Sequence, residues 1–407
     1  MSDFEGYRAG SRAYRRLLAA LCAAGLATFA QLYSPQPLIP HLSRDLKISA
    51  DQAALSMSSA TTGLALCTLL WAALADRLGR VRTMTLALCG ATLLGLLTPW
   101  VASYPLMLAL RTLEGAFLGG VAGLALAVIV SEAHPSVRLT AAGFYISGTS
   151  LGGLAGRIIA GPLSELVPWR LAMFAVSLLG LLAALLFVLL MPPSHDRPDR
   201  RGNTQEDSKD PAQLSKILAL FKNPPLLALF ITGFTLMGSL VSIFNYIGFK
   251  LQGPPYFLSQ TLLSLIFLTY LSGTFSSQLG ASLAQRLGQK LTLLASCLLM
   301  AAGCLLTLAG PLPWVLAGLL LLTSGFFAAH ALASSWSGAL VLEARSQATA
   351  LYNSFYYAGS ALVGWATGLL LAQQGWAGVA LTCTGLLLLS SLLAALLLPA
   401  PRPQQEG

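Results

Sequence analysis

Ala72-Ala73-Leu74-Ala75-Asp76-Arg77-Leu78-Gly79 returns 209 residues later as Ala281-Ser282-Leu283-Ala284-Gln285-Arg286-Leu287-Gly288. Each copy closes a long apolar run with a polar residue, an arginine and a glycine, the residue that permits a tight turn. A second echo sits at an offset of 211, where Glu132, Phe144, Tyr145, Gly148 and Gly153 align with Glu343, Phe355, Tyr356, Gly359 and Gly364. The chain therefore reads as two parallel repeats. In a membrane such repeats imply a pseudo-two-fold axis along the normal, with a substrate site between the halves near mid-membrane.

The residues between the echoes set the class. Of 407 residues, 56% are hydrophobic and 10% are charged. A soluble domain carries about 25% charged residues, and a single core stops growing near ~250–300 residues. The apolar residues form long runs, such as Leu17–Tyr33, Met84–Ala102, Leu171–Met191, Leu291–Ala309 and Val379–Leu398. About 20 apolar residues in a helix span the hydrocarbon layer. Unbroken runs without period-2 alternation exclude a membrane β-barrel. Twelve segments meet this description: 17–40, 52–75, 84–102, 106–131, 139–162, 171–190, 224–248, 258–284, 291–309, 314–340, 347–371 and 376–398. The expected fold is an all-α membrane protein with twelve transmembrane helices in two pseudo-symmetric six-helix bundles. Its domains are a cytoplasmic tail at 1–16, a bundle at 17–190, a cytoplasmic linker at 191–223, a bundle at 224–398 and a tail at 399–407. Pro35 and Pro37 remove backbone donors and are expected to break the outer end of the first helix.

Charge gives the orientation. With both termini in the cytoplasm, 18 of the 24 Lys and Arg residues face inward and four (Arg44, Lys47, Arg170, Lys250) face outward. This asymmetry obeys the positive-inside rule and predicts a multi-pass protein of the bacterial cytoplasmic (inner) membrane. It also accounts for the net charge of +9 through contact with anionic lipid, without nucleic acid. Arg12, Arg15 and Arg16 precede an apolar run too long for a signal-peptide core, so an uncleaved first helix is expected. All six cysteines fall in apolar segments at spacings that suggest neither a disulfide framework nor a metal site.

Several motifs resemble those of the major facilitator superfamily, and the resemblance covers essentially the whole chain. Ala72-x-Leu74-Ala75-Asp76-Arg77-x-Gly79-Arg80 looks like the loop motif between its second and third helices, with Ala72 in place of the usual first glycine. Arg111-x-x-Glu114-Gly115 looks like the fourth-helix motif, with Glu114 where Gln is more usual. Gly148-Thr149-Ser150-Leu151-Gly152-Gly153 looks like the fifth-helix antiporter motif, with Thr149 replacing proline. Tyr33-Ser34-Pro35-Gln36-Pro37-Leu38, Gly152 to Arg157 and Tyr352 to Ser360 resemble the YnfM-type (acriflavine-sensitivity) branch. The resemblance implies a transporter rather than an enzyme. It also implies a conformational latch at Asp76, Arg77, Gly79 and Arg80.

Three ionisable residues lie within the membrane: Arg111, Glu114 and Arg157. An ionisable group at the bilayer centre costs at least about 2.5–3.5 kcal/mol and so needs a partner or a wet cavity. Arg111 and Glu114 are three apart on one helix face and can pair. Arg157, on the antiparallel fifth helix, is expected to approach them. Glu114 is the expected carrier of a coupling proton, with Arg111 tuning it and Arg157 completing the network or meeting substrate. The alternative is a permanent structural ion pair.

Gly143, Gly148, Gly152, Gly153 and Gly156 crowd the fifth helix. They suit close helix approach, either at a moving interface or in static packing. Gln31, Tyr33, Gln36, Asn245, Tyr246, Gln278, His330, Asn353, Tyr356 and Tyr357 are polar candidates for a cavity wall. No nucleotide-binding P-loop is present, so ATP is not the expected energy source, and no cofactor or metal is implied. The expected partners are a small-molecule substrate, protons and the lipid bilayer, for a monomer. Efflux of amphipathic or toxic compounds, transport of organic anions such as carboxylates, and sugar or nutrient import all remain open as functions.

Overall fold

The computed structural model describes residues 5–195, 219–341 and 344–399. The linker expected at 191–223 falls outside the described residues over 196–218. So do residues 1–4 of the first tail, Glu343 of the second echo, and 400–407 of the last tail.

Helix α1 (Arg12–Tyr33) begins five residues before its apolar run, because Ser11 caps it by accepting from the Tyr14 amide at 3.1 Å. It ends ahead of Pro35. A 3-10 turn over Gln36–Leu38 and the short α2 (Ile39–Leu46) complete the first span. Then come α3 (Ala50–Leu78), bent by 50° between Thr68 and Leu70, α4 (Arg80–Leu97), α5 (Tyr104–Glu132), α6 (Arg138–Leu166) and α7 (Trp169–Leu190). The second half opens with α8 (Pro224–Gln252). Its second span is composite: α9 (Gln260–Leu265), a 3-10 stretch at Ile266–Leu271, and α10 (Ser272–Leu287). This internal break had no signal in the hydropathy. Helices α11 (Gln289–Leu306), α12 (Leu312–Ala339) and α13 (Arg345–Leu397) follow. Gly375 leaves helical geometry at φ 64° and ψ −158°, which divides α13 into the eleventh and twelfth spans.

Among the described residues, nine helices are individually long and apolar enough to cross a membrane, and ten if bent α3 counts as one. The other two spans are the second arm of α13 and α6, whose glycines, serines and threonines lower its mean hydropathy. The result is an all-α membrane protein of twelve helices in two six-helix bundles.

Contacts gather the chain into two units. The first comprises Met1–Ile48, Leu55–Gly202 and Ser259–Leu265, the second Ser49–Ala54, Asn203–Leu258 and Ile266–Gly407. Each thus takes in the opening turn of the other half's second helix. In the first unit Glu165 accepts from Thr261 N at 2.9 Å and Oγ1 at 2.6 Å, and Gln260 donates to the Pro37 carbonyl. In the second, a β-carbon on Gly368 would lie 2.6 Å from Asp51 Cα.

Helix α7 shows what organises each bundle. Its inward stripe is Ala172, Val176, Gly180, Ala183, Ala184 and Phe187. Leu182 and Leu189, at 60% and 69% exposure, point away from the protein. Lipid solvates leucine as well as a protein core does, so small residues that allow close contact go inward. Leu17, Leu21, Ala24, Met84, Leu88, Val121, Val128 and Phe187 close the core of the first unit.

Candidate functional site

Pro35 has no N–H to give the Gln31 carbonyl, which is therefore left without its helical donor at the end of α1. The Ser34 hydroxyl, at 3.1 Å, and Arg111 fill the gap. The Arg111 guanidinium donates to Gln31 O at 3.2 Å, to Leu32 O at 2.8 Å and to Ser56 O at 3.1 Å. The reach to Ser56 depends on Gly115, where an added β-carbon would lie 1.9 Å from Ala60 O, so α5 sits directly on α3. The fourth contact of Arg111 is a charge-assisted bond to Glu114 Oε2 at 2.8 Å. Both side chains are 1% exposed. Arg111 thus ties α5 to α1 and α3, and three backbone carbonyls hold its charge independently of Glu114.

Arg157 is also buried. Its Nε donates to Gln36 Oε1 at 2.8 Å and its Nη1 to the Gly153 carbonyl at 2.7 Å, while its guanidinium lies 3.9 Å over the Tyr33 ring. The structure therefore brings Arg111 and Glu114 together, and gathers Arg157, Tyr33 and Gln36 around the broken end of the first span. Arg157 bonds a carbonyl one turn back on its own helix, and this directs the side chain along α6.

The glycines of α6 face α1. A β-carbon on Gly148, Gly152 or Gly156 would come within 2.2, 2.4 and 2.3 Å of the carbonyl oxygens of Cys22, Leu26 and Ala30. Gly153 instead faces Arg157 and Tyr33, and Gly143 faces open space. The partner of the glycine stripe is therefore α1, inside the first unit.

Gly79, at φ 88°, makes the turn from α3 to α4 in a region that disfavours side chains. Asp76 and Arg77 are exposed, and Asp76 has no partner among the described residues. Arg80 is half-buried at the first position of α4.

In the second unit His330 Nδ1 meets Tyr352 Oη at 2.9 Å, and the His330 ring stacks on Phe326 and lies 4.6 Å from Tyr356. Tyr356 and Tyr357 meet edge to face at 5.1 Å, and both are half-buried. Asn245 is buried against the Gly364 carbonyl, which also accepts from Tyr246 at 2.8 Å. Asn353 and Gln278 are exposed.

Sequence reasoning missed a second buried carboxylate. Glu132, 0% exposed at the end of α5, accepts from Ser194 Oγ at 2.5 Å and from the His195 amide at 3.1 Å. Tyr7 pairs beside it, its amide donating to Glu132 O at 2.7 Å. Burial, and then the Glu132 charge, push the Tyr7 phenol above its usual pKa. An acid closing an otherwise uncharged helix end, in a region of arginines, was the available signal.

A family model described as Major Facilitator Superfamily matches residues 21–280 and 253–407. The inner membrane transport protein YnfM of Escherichia coli is 37% identical over 372 residues, 91% of this chain and 87% of that one. YybF of Bacillus subtilis, an MFS-type transporter, is 35% identical over 383 residues, covering 94% and 93%. The nucleoside transporter NupG superposes with a TM-score of 0.74 at 17% identity, covering 94% and 98%. A bacterial homologue of the lysosomal transporter Spinster gives 0.76 at 14%, covering 95% and 97%. These two solved structures share the fold.

Proposed function

This chain belongs to the Major Facilitator Superfamily, and on that premise we propose that it is a proton-coupled carrier that exports small amphipathic or toxic compounds. It is a membrane transporter, and secondary transport by alternating access is the family's mode of action. The observation that carries the proton reading is the asymmetric anchoring of the buried pair. Three backbone carbonyls hold Arg111, so Glu114 can take up a proton without leaving the guanidinium unsolvated. An uptake site of this kind couples to the membrane potential, worth roughly 2.3 kcal/mol per charge per 100 mV. The aromatic run of Tyr270, Phe327, His330, Tyr356 and Tyr357, half-buried around the buried Phe326, supports a flat, amphipathic substrate.

In this reading the bundles at 17–190 and 224–398 are the moving bodies, both termini are cytoplasmic, and the monomer is the working unit. The turn at Asp76, Arg77, Gly79 and Arg80 is the latch, with the Asp76 and Arg77 side chains exposed. One observation favours a second reading: with Glu114 protonated, Arg111 and Arg157 leave the first unit with two buried cations. That charge state suits an organic anion such as a carboxylate.

The test uses inverted membrane vesicles with an imposed pH gradient, screening cationic dyes, organic carboxylates and sugars for proton release. A response to dyes that is lost in Glu114→Gln supports dye–proton antiport. A response to carboxylates alone moves the assignment to anion transport, with Arg111 and Arg157 as contacts. Proton release that survives in Glu114→Gln removes Glu114 as the carrier.

A further inference from the structure

Gln31 is 1% exposed on α1, and its amide occupies a slot cut by glycines on two other helices. A β-carbon on Gly180 of α7 would lie 2.7 Å from both its Cδ and its Nε2. A β-carbon on Gly95 of α4 would lie 2.6 Å from its Oε1 and 3.1 Å from Glu114 Oε1. The amide nitrogen donates to the Ala27 carbonyl at 3.0 Å and, more weakly, to Thr92 Oγ1 at 3.4 Å. A backbone carbonyl can only accept, so this bond sets which way the amide faces. Oε1 is thereby turned toward Gly95 and Glu114, buried and without a hydrogen-bond partner.

The carboxylate shows the complementary feature. Glu114 Oε2 is bonded to Arg111, and its Oε1 turns to the same face of Gly95 as the orphan amide oxygen. The nearest hydroxyl, Ser177, donates instead to Gly95 O at 2.9 Å or Met173 O at 3.1 Å. A buried amide oxygen with no donor, set beside a second acceptor at Gly95, is a costly conflict while the carboxyl is unprotonated. A single proton on Glu114 Oε1 removes the conflict, because the acid O–H then donates to an acceptor already in place.

We propose that Gln31 is the positioning residue for the coupling proton: its Oε1 accepts from protonated Glu114, so that α1 registers the charge state of α5. The inference rests on Glu114 as the proton carrier. Arg111 is the charged group bonded to Glu114, and the Arg157 guanidinium donates to Gln36 and Gly153 and lies over the Tyr33 ring. Uptake places the proton on Oε1 with Arg111 still bonded to Oε2. Release restores the carboxylate, and Gln31 Oε1 again lacks a donor while Nε2 stays on the Ala27 carbonyl. The hinge for the response is the end of α1, because the carbonyls of Gln31 and Leu32 are themselves bonded to Arg111.

The experiment is pH-difference infrared spectroscopy of the full-length protein in liposomes, comparing wild type, Glu114→Gln, Gln31→Met and Gln31→Asn. A protonated carboxyl C=O band is expected in wild type and absent in Glu114→Gln. In both Gln31 variants the band should persist but move to higher frequency, because the acid loses one of its two hydrogen bonds. The pH midpoint of proton-driven transport should fall by about one unit in Gln31→Met, since the neutral acid loses its acceptor. A band that Glu114→Gln removes and neither Gln31 variant shifts overturns the role of Gln31 and leaves Glu114 as carrier. A spectrum with no band sensitive to Glu114→Gln overturns the proton reading itself. The shorter asparagine keeps an amide on α1, so the two variants together separate loss of the acceptor from loss of the fold.

Discussion

Gly79 and Gly288 occupy the same place in the two halves and hold nearly the same backbone, φ 88° with ψ 144° and φ 88° with ψ 150°. Gly148 rests on the carbonyl of Cys22, and its counterpart Gly359 rests on that of Phe234, at offsets of 211 and 212. The side chains between these points differ. Asp76 corresponds to Gln285. Arg157 corresponds, at the offset of 211, to Gly368, whose β-carbon would meet Asp51 and the Tyr246 hydroxyl. Helix α5 carries Arg111, Glu114 and Glu132, whereas α12 carries none of Asp, Glu, Lys or Arg. Backbone contact leaves no space for a side chain, so both copies keep glycine there. A polar group needs only a local partner, so the ionic chemistry can reside in one half while the other offers aromatic surface.

The largest effect separates the halves by chemistry. Arg111→Leu strips donors from three carbonyls and leaves Glu114 buried alone, and should cost about 3–5 kcal/mol. His330→Leu in the second half removes one hydrogen bond and should cost about 1 kcal/mol. Thermal unfolding of each variant in detergent checks the ratio, and equal losses would break the asymmetry.

The next prediction concerns what the halves share. Gly148→Val and Gly359→Val force apart α1 from α6 and α8 from α13, each costing about 1–3 kcal/mol by overpacking. The two should match within a factor of two in folded yield and midpoint. A mismatch would show that the paired glycines are equivalent in sequence only.

The smallest effect falls on the turn. Asp76→Asn should lower transport about tenfold at unchanged expression, because the proposed latch needs this carboxylate, exposed here, to dock on a helix N-terminus as it closes, a contact worth up to about 2 kcal/mol when partly buried. Gln285→Ala should leave transport within about twofold of wild type, as for an exposed neutral position. Full activity of Asp76→Asn in a vesicle uptake assay would remove the latch.

Much of the candidate site was legible in residue type. Arg111 and Glu114 stood out because charge inside an apolar run is expensive, and their spacing put them on one face. The break at Pro35 and Pro37 was equally plain, although its consequence was not: the carbonyl it frees becomes a ligand of Arg111. Arg157 was expected near the pair, since distance along antiparallel helices was the available measure. Its contacts with Gln36 and the Tyr33 ring follow from how α6 is rotated against α1. The glycine stripe was visible, but the helix it meets was not.

What the sequence by itself determined is the set of spans, the duplication and the inventory of buried charge. These depend on apolarity and spacing along the chain, which lipid and backbone hydrogen bonding read segment by segment. Only the tertiary structure decided that Gln31 and Glu114 meet at Gly95, that Arg111 is anchored without Glu114, and that Glu132 holds Ser194 and His195. Each joins residues 55 or more positions apart across helix faces. In a membrane bundle both faces of a helix are apolar, so hydropathy carries no record of which face meets which neighbour.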